Sequence, residues 1–219
     1  MGDVLPKQYL GLRGRTVIEW ALDRILGVEG LAGGVIALSD ADRHWDRLEY
    51  RSPVALERVT GGNERADSVL NALKHLAAKA SRDDWVLVHD AARPCVRTSD
   101  IRSMIGRLKG DEVGGLLGVK IRDTVKRDNG GDRVEGTVDR THLWRALTPQ
   151  MFRLGLLLDS LQAALSSPSP VTDEASALEL AGYRPRLLEG SEDNIKVTRP
   201  GDLDLAELYL AGQEGEGTA

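Results

Sequence analysis

Residues 85–94, WVLVHDAARP, are the most informative segment for the fold. The apolar run from Trp85 to Val88 predicts a short strand that is buried on both faces, because a half-exposed strand alternates apolar and polar side chains. His89 and Asp90 then end the strand with polar groups. Ligands of open α/β sheets bind beyond the carboxyl ends of the strands. The segment therefore predicts a sheet and also the edge of that sheet where a site would lie.

On both sides of this segment, apolar runs alternate with helical patterns. Further strands are predicted at residues 35–38, 54–59, 114–119 and 186–188, and helices at residues 16–25, 65–80, 99–108, 173–181 and 202–210. A rhythm of strand, helix and strand predicts parallel pairing through crossover helices. We therefore expect an α/β protein with a doubly wound, mostly parallel sheet.

The rhythm breaks after Ile121, where two alternating segments, residues 124–127 and 133–138, flank the sequence DNGGD. An Asn-Gly pair between alternating segments is a strong signal for a β-hairpin. A two-stranded hairpin alone is only marginally stable in water. We therefore expect this hairpin to pack on another surface, and a second subunit is the first candidate.

Composition limits the classes of function. The chain has 219 residues, of which 34 are acidic and 29 basic, and its net charge of −5 argues against a nucleic-acid groove but not against phosphate ligands. No apolar run approaches the ~18 residues that cross a bilayer, and no signal peptide opens the chain. The one cysteine, Cys95, excludes an intramolecular disulfide and a cysteine-based zinc site. We expect a soluble, cytoplasmic protein without nucleic-acid or membrane partners.

The segment GGNERADSV, residues 61–69, follows a predicted strand and opens a predicted helix. Gly61 and Gly62 allow backbone N–H groups to approach a ligand closely. Ser68 lies in the first turns of the helix, near its positive end, which suits a nucleotide base or a phosphate. A tight turn followed by a helix N-cap explains the same residues without a ligand, and this segment alone does not separate the two interpretations.

The polar end of the central strand offers a second candidate site. Asp90 can hold a metal ion or a ribose hydroxyl, Arg93 can bind a phosphate with two hydrogen bonds, and Ala91 leaves room for a flat ligand. The alternative is an Asp90–Arg93 pair that only stabilises a turn, but the position at the edge of the sheet favours a site. We interpret His89 as structural, because the four histidines lack metal-ligand spacing. No pattern for a covalent nucleophile is present.

Two lysines lie in polar surroundings. Lys7 belongs to the segment PKQY, and Lys196 follows the predicted strand at residues 186–188. An isolated lysine is more often a solvated surface residue than a functional one. Neither lysine alone therefore indicates a site.

Seven segments together resemble the 2-C-methyl-D-erythritol 4-phosphate cytidylyltransferase family. They are PKQYL, GGNERADSV, VLVHDAARPCV, RDTVKR, TVDRTHLWRALTPQMF, TDEASALELAG and EDNIKVTRPGDLDLAE. They follow the family's order over nearly the whole chain, and the combination is highly specific. The resemblance implies an enzyme that transfers a cytidylyl group from CTP to 2-C-methyl-D-erythritol 4-phosphate and releases pyrophosphate, in the non-mevalonate route to isoprenoid precursors.

The resemblance also implies an architecture and a cofactor. Members have a Rossmann-like domain of the nucleotide-diphospho-sugar transferase type and use Mg²⁺. They form homodimers through a protruding β-arm, which supplies residues to the active site of the neighbouring subunit. On this chain the implied single domain covers residues 1–211, with the arm at about residues 122–147 and a flexible tail at residues 212–219.

The functional residues of the family map onto this sequence. The resemblance implies catalytic roles for Lys7, Lys196 and Arg140. Arg140 and Thr124 come from the partner's arm and hold the substrate phosphate. The implied substrate pocket is lined by Arg93, Thr148 and Thr172. The implied cytidine site contains Gly61, Gly62 and Ser68, with Asp90 and Ala91 near the ribose and with Asp90 as the metal ligand.

The sequence departs from the family at its start. Members begin with a strand and a glycine-rich, arginine-ending loop that wraps the triphosphate, whereas this sequence begins with Met1-Gly2, after the point where that loop ends. Three explanations are open: the sequence omits an N-terminal part, its start is assigned too far downstream, or the protein is truncated. Of these, we favour the first two. Two alternative functions remain: a cytidylyltransferase for another polyol phosphate, such as ribitol 5-phosphate, and a truncated, non-catalytic dimer.

Overall fold

Ten strands and six α-helices form within residues 5–216, the part of the chain that the computed structural model describes. The strands are β1 (Gly11–Leu12), β2 (Arg15–Thr16), β3 (Gly34–Leu38), β4 (Leu56–Thr60), β5 (Trp85–Val88), β6 (Gly114–Lys120), β7 (Val125–Asp128), β8 (Val134–Val138), β9 (Trp144–Arg153) and β10 (Arg186–Glu189). The helices are α1 (Val17–Leu26), α2 (Arg65–Ala77), α3 (Thr98–Leu108), α4 (Leu154–Leu165), α5 (Glu174–Leu180) and α6 (Gly201–Glu216). Every strand and helix predicted from the sequence is present, with ends that differ by a few residues.

The central sheet has the strand order β10–β6–β9–β5. β10 and β6 are parallel, whereas β9 is antiparallel to both β6 and β5. β3 and β4 pair in parallel in a separate two-stranded sheet. The α/β class is confirmed. The prediction of a mostly parallel sheet is not confirmed, because β9, a strand that was not predicted, lies between β5 and β6 and runs against both.

β9 has an irregular register at Pro149, which has no N–H to donate and is therefore unusual in a central strand. On β6, Leu116 pairs with Gln150 and Gly118 pairs with Ala146. Three residues of β9 thus lie opposite a single residue of β6. A bulge of this kind changes the direction in which side chains point, and bulges are frequent beside active sites.

Helices cover both faces of the central sheet. Leu117 and Met151 pack towards α3, in one apolar cluster. Leu116 and Phe152, their neighbours in sequence, belong to the opposite cluster, which α2, α4 and α5 complete. Because the strands are buried on both faces, they read as continuous apolar runs in the sequence.

β7 and β8 form the predicted hairpin, in which Val125 lies opposite Val138. Most of its residues are exposed, and Val134 retains 65% of its surface. Residues 144–147, the end of the segment predicted as the arm, form the start of β9. This chain alone therefore gives the hairpin little to pack against.

α6 continues to Glu216 and does not end near Leu210. Residues 212–216 are therefore helical, where the sequence predicted a flexible tail. Residues 217–219 of that tail, and residues 1–4 of the predicted domain, lie outside the described part of the chain. No helix within residues 5–216 is long and apolar enough to cross a membrane.

Candidate active site

A cluster of charged side chains lies beyond the carboxyl end of β5, with Asp90 at its centre. The carboxylate of Asp90 lies 2.8 Å from Arg65 Nε and 2.9 Å from Lys196 Nζ. Its third cationic neighbour is Arg93, whose Nε is 3.4 Å away. Only 9% of the Asp90 side chain is exposed. Three separate segments of the chain therefore meet at the edge of the sheet that the sequence indicated.

The neighbouring cations determine the charge of Asp90. Burial alone would raise the pKa of its carboxyl group, but the guanidinium of Arg65 and the ammonium of Lys196 outweigh burial and hold the pKa well below its usual range. Asp90 is therefore ionised at neutral pH. It holds together three cations that would otherwise repel one another.

Arg65 also makes a buried ion pair with Glu174. Arg65 Nη1 and Nη2 donate to the two carboxylate oxygens of Glu174, at 2.7 and 3.1 Å, while Nε donates to Asp90. The Glu174 side chain is 1% exposed. Burial raises the pKa of Glu174, and the guanidinium of Arg65 opposes that rise. The contact joins the first residue of α2 to the first residue of α5, and sequence reasoning missed both residues.

The bulge in β9 places Thr148 beside the charged cluster. The hydroxyl of Thr148 accepts a hydrogen bond from the backbone N–H of Asp90 at 3.1 Å and lies 3.0 Å from His89 Nδ1. His89 Nε2 lies 3.1 Å from the backbone carbonyl oxygen of Arg93. Burial lowers the pKa of His89 to about 4, so its ring is neutral at pH 7. The prediction that His89 is structural is consistent with these contacts.

Asn194 ties the loop after β5 to the loop before α6. Its side-chain Nδ2 donates to the backbone carbonyl of Thr148 at 2.8 Å. Its backbone carbonyl accepts from Arg93 Nη1, also at 2.8 Å. Three residues later, the N–H of Val197 donates at 2.8 Å to a backbone carbonyl of the loop after β5. Lys196 lies between these two anchors. The backbone therefore places its ammonium group at the charged cluster.

Comparison with known proteins identifies the family. The model of the 2-C-methyl-D-erythritol 4-phosphate cytidylyltransferase family matches residues 1–212. Proteins of that description from Pseudomonas putida (strain GB-1) and Vibrio vulnificus (strain CMCP6) are 54% and 47% identical over 209 residues, which are 95% of this chain and 89% and 88% of theirs. The crystal structure of the Francisella tularensis protein is 36% identical, with a TM-score of 0.82 over 95% of this chain and 94% of that chain. The chain belongs to this family.

In this member of the cytidylyltransferase family, Gly61 and Gly62 lie between β4 and α2, and Ser68 lies in the first turn of α2. The N–H of Gly62 donates to Ser68 Oγ at 2.9 Å, and Ser68 Oγ donates to the carbonyl of Glu64 at 3.2 Å. A Cβ atom on Gly62 would lie 2.1 Å from that of Asp67, so the loop closes against α2 only with glycine at this position. The segment therefore packs tightly against α2, and cytidine binding by these residues stays a prediction.

Thr172 lies on a cavity of about 430 Å³ near the starts of α2 and α5. Arg65 and Glu174 line the same cavity, so it adjoins the charged cluster. The backbone N–H of Thr172 donates to Ser176 Oγ at 3.1 Å. The structure thus brings this predicted pocket residue close to the charged cluster.

Arg140 and Thr124 lie together at the base of the hairpin, where Arg140 Nη1 is 3.4 Å from Thr124 Oγ1. Arg140 also lines a second cavity of about 450 Å³, together with Glu189 and Glu192. Within residues 5–216, the described ion pairs of Asp90 do not include Arg140. The two predicted arm residues are therefore brought to each other but not to Asp90 of the same chain.

Lys7 begins a short 3₁₀ turn, Lys7–Tyr9, and is exposed. The turn is fixed by Tyr9, whose hydroxyl donates to Asp42 at 2.8 Å and whose ring packs on His44. Among the described contacts, Lys7 does not pair with Asp90. Ala91, next to Asp90, is exposed and leaves the surface beside the carboxylate open.

Proposed function

We propose that this chain transfers a cytidylyl group from CTP to 2-C-methyl-D-erythritol 4-phosphate and releases pyrophosphate, in isoprenoid precursor synthesis. The observation that carries the proposal is the convergence of Arg65, Arg93 and Lys196 on Asp90, at the edge of the sheet where ligands bind. Membership of a nucleotidyltransferase family over nearly the whole chain supports the same reaction.

The chemistry requires cations at this edge. A phosphate oxygen of the substrate attacks the α-phosphorus of CTP, the bond from that phosphorus to pyrophosphate breaks, and pyrophosphate leaves with the electron pair. Because both reactants are anionic, positioning and charge neutralisation supply most of the rate enhancement. Three cations face two carboxylates, Asp90 and Glu174, which leaves an excess of positive charge. The ion pairs hold these cations in place before a ligand arrives.

The roles of individual residues follow from the family and from their positions. We assign Lys196, together with Lys7, to the charge that develops at the α-phosphate. We assign the substrate phosphate to Arg140 and Thr124 of a second subunit's arm, and the substrate pocket to Arg93, Thr148 and Thr172. The cytidine is assigned to Gly61, Gly62 and Ser68, with Ala91 beside the ribose.

Mg²⁺ is the proposed cofactor, with Asp90 as its protein ligand. Residues 5–216 contain no group of three or more His, Cys, Asp or Glu side chains that would hold a metal ion by themselves. Mg²⁺ is commonly held by one or two carboxylates together with substrate phosphates, and Asp90 fits that arrangement. When bound, the metal would neutralise phosphate charge. Asp90 would then exchange part of its contact with the cations for contact with the metal.

We also propose a homodimer that forms through the protruding hairpin. The strands β7 and β8 are largely exposed, and the apolar side chain of Val134 lies open to solvent. A hairpin of two strands needs a further surface for stability. The proposed location is the cytoplasm, because the single cysteine, Cys95, permits no intramolecular disulfide.

Pyrophosphate release from CTP and 2-C-methyl-D-erythritol 4-phosphate with Mg²⁺ tests the proposed function. We expect turnover with this substrate and much less with ribitol 5-phosphate. Lys196→Ala should lower kcat/KM by about 100-fold or more (~3 kcal/mol), which is typical of losing one charge-stabilising donor. Lys79→Ala, which removes only an exposed ion pair with Glu57, is the matched control and should leave the rate unchanged.

Three results would contradict this assignment. Faster turnover of ribitol 5-phosphate would make the chain a cytidylyltransferase for another polyol phosphate. A folded dimer without turnover and without CTP binding would support the non-catalytic alternative. Full activity of Lys196→Ala would show that the charged cluster has no role in the mechanism.

A further inference from the structure

The last turn of α6 contacts both loops of the charged cluster through one side chain, that of Gln213. Its Nε2 donates to the backbone carbonyl of Cys95 and to Oδ2 of Asp193, both at 2.9 Å. A carbonyl and a carboxylate both accept hydrogen bonds, so the amide nitrogen and not the amide oxygen occupies this position, and both of its hydrogens are used. Gln213 therefore joins the loop after β5, which carries Arg93, to the loop before α6, which carries Lys196.

The packing of α6 fixes the position of Gln213. Ala206, Leu210 and Gln213 are spaced by four and three positions, so they lie on one face of the helix. Ala206 and Leu210 are completely buried, in one apolar cluster with Cys95 and Val197. Cys95 Sγ also lies 3.6 Å from the backbone carbonyl oxygen of Ala206. The buried face of α6 therefore holds Gln213 against the two loops.

Asp193 is the residue through which α6 holds the loop that carries Lys196. Its Oδ2 accepts from Arg97 Nε at 2.8 Å, and Arg97 Nη2 lies at the same distance. With the contact from Gln213, three N–H donors meet on this one oxygen, and the Asp193 side chain is 10% exposed. Lys196 follows three residues later, and its ammonium lies 2.9 Å from Asp90. A displacement of Asp193 would therefore be transmitted to Lys196 over a short segment of backbone.

We propose that Gln213 is a positioning residue for the reaction, which acts through Asp193 on the ammonium group of Lys196. This inference rests on the proposed function, in which Lys196 stabilises the charge at the α-phosphate. Lysine is a point charge on a flexible stem, so its backbone must be well placed if the ammonium is to reach one position. A misplacement of about 1 Å at a reacting centre can cost about 100-fold in rate. The last turn of α6, which the sequence predicted as a tail, is thereby a structural support of the site.

The loop before α6 depends on Gln213 more than the loop after β5 does. Cys95 and Val96, in the loop after β5, are completely buried, and their packing keeps that loop in place. In the other loop, the buried residues that precede Lys196 are Asp193 and Asn194, and both are held by hydrogen bonds. Loss of the Gln213 amide should therefore loosen the Lys196 loop first.

Hydrogen exchange tests this support without turnover. Gln213→Met keeps the length of the side chain and removes both donors. We expect the N–H of Val197, which donates to the loop after β5, to exchange about 10-fold faster, as for the loss of about one hydrogen bond. The N–H groups of β6 should exchange as in the parent. Unchanged exchange at Val197 would overturn the proposal. The matched control is Gln162→Met, the same substitution at an exposed position of α4, which should change neither rate.

A double-mutant cycle tests the effect on the reaction. We expect Gln213→Met to lower kcat by about 10-fold, and Gln213→Glu to lower it further, because a carboxylate would place a third acceptor beside Asp193 and Cys95. In the Lys196→Ala background, Gln213→Met should change the residual kcat by less than about 2-fold, because the residue through which it acts is absent. The shift in the urea midpoint caused by Gln213→Met should be the same in both backgrounds. Gln162→Met should leave kcat unchanged.

Two kinetic results would overturn the proposal. An equal loss of kcat from Gln213→Met in both backgrounds would show that Gln213 does not act through Lys196. Parental kcat in Gln213→Glu would show that the two donated hydrogen bonds have no role in the reaction. If the parent enzyme releases no pyrophosphate, the proposed function fails, whereas the exchange of Val197 still decides whether Gln213 holds the loop.

Discussion

At the scale of single residues, Arg65 determines how the charges of the site are balanced. Its guanidinium contacts two carboxylates, Asp90 and Glu174, and Glu174 is almost completely buried. Desolvation alone would lower the pKa of Arg65, but these two carboxylates outweigh it and raise the pKa above its usual value. Arg65 therefore stays charged and connects buried Glu174 to Asp90 at the edge of the central sheet.

Replacing Arg65 separates its structural role from its role at the site. Arg65→Met leaves Glu174 buried without a partner and should lower the free energy of unfolding by about 3 kcal/mol. The double variant Arg65→Met/Glu174→Met should recover most of that loss, because a buried ion pair is often replaced by apolar groups without cost. Urea unfolding of the parent and both variants measures these differences.

Activity should respond differently from stability in the same variants. Both lack the Nε donor to Asp90, so both should show reduced pyrophosphate release. If the double variant regains full activity together with its stability, Arg65 serves the fold alone.

The sequence predicted the position of residues that directly follow a single strand. Asp90 and Arg93 are close in the chain, and the edge of the sheet explains their importance. Arg65 and Glu174 are separated by 109 positions, and no local pattern announces a contact between the first residues of two helices. Family resemblance supplied the role of Lys196, but the anchors that place it are hydrogen bonds through Asn194 that appear only in three dimensions.

At the scale of secondary-structure elements, β9 and α4 were not predicted from the sequence, and β9 is the one that changes the order of the central sheet. Its polar centre, with Thr148, Pro149 and Gln150, shows no apolar run and contains a residue that central strands usually exclude. The tertiary structure overrides that local signal. The bulge removes the need for an N–H at Pro149, and packing on the two faces of the central sheet buries Thr148 and Gln150. The parallel pair β3–β4 and the hairpin have strong local signals, and both predictions are confirmed.

The start of β6 depends on Asp111. Its Oδ1 accepts from the N–H groups of Val113 and Gly114 at 2.9 and 2.8 Å. Burial would raise the pKa of Asp111, but these two N–H groups outweigh burial and lower the pKa. A group with a lowered pKa in the folded state contributes stability above its unfolded pKa of about 3.9, and that contribution is lost as the pH falls through the folded value.

Asp111→Asn should therefore destabilise the protein in a manner that depends on pH. At pH 7 we expect a loss of about 1 kcal/mol, because the amide oxygen remains an acceptor but is a weaker one than a carboxylate. At pH 3 the difference from the parent should shrink, since the carboxyl group of the parent is then partly protonated. Urea unfolding at both pH values measures the change, with Asp132→Asn, at a residue that is 97% exposed, as control. An equal difference at both pH values would show that the charge of Asp111 has no role.

At the scale of the whole molecule, the residues of the proposed site are divided between the body and the hairpin. Lys196 and Asp90 lie in the body, whereas Arg140 and Thr124 lie at the base of β7 and β8. Local patterns predicted Asp90 and the hairpin, whereas family resemblance supplied the roles of Lys196, Arg140 and Thr124. In the proposed homodimer a second subunit brings the two parts together, and neither a local pattern nor one chain can fix that arrangement.

Subunit exchange between two inactive variants tests this arrangement. Arg140→Ala and Lys196→Ala each remove one residue of the proposed site, so each homodimer should be nearly inactive. If the arm serves the neighbouring subunit, every mixed dimer contains one site with both residues intact and one site with neither. Half of the dimers in an equal mixture are mixed, so pyrophosphate release should recover to about a quarter of the parent value. If the arm serves its own chain, each site of the mixed dimer still lacks one residue, and no activity returns. If the mixture stays inactive although sedimentation and differently tagged subunits confirm exchange, Arg140 acts in the active site of its own chain.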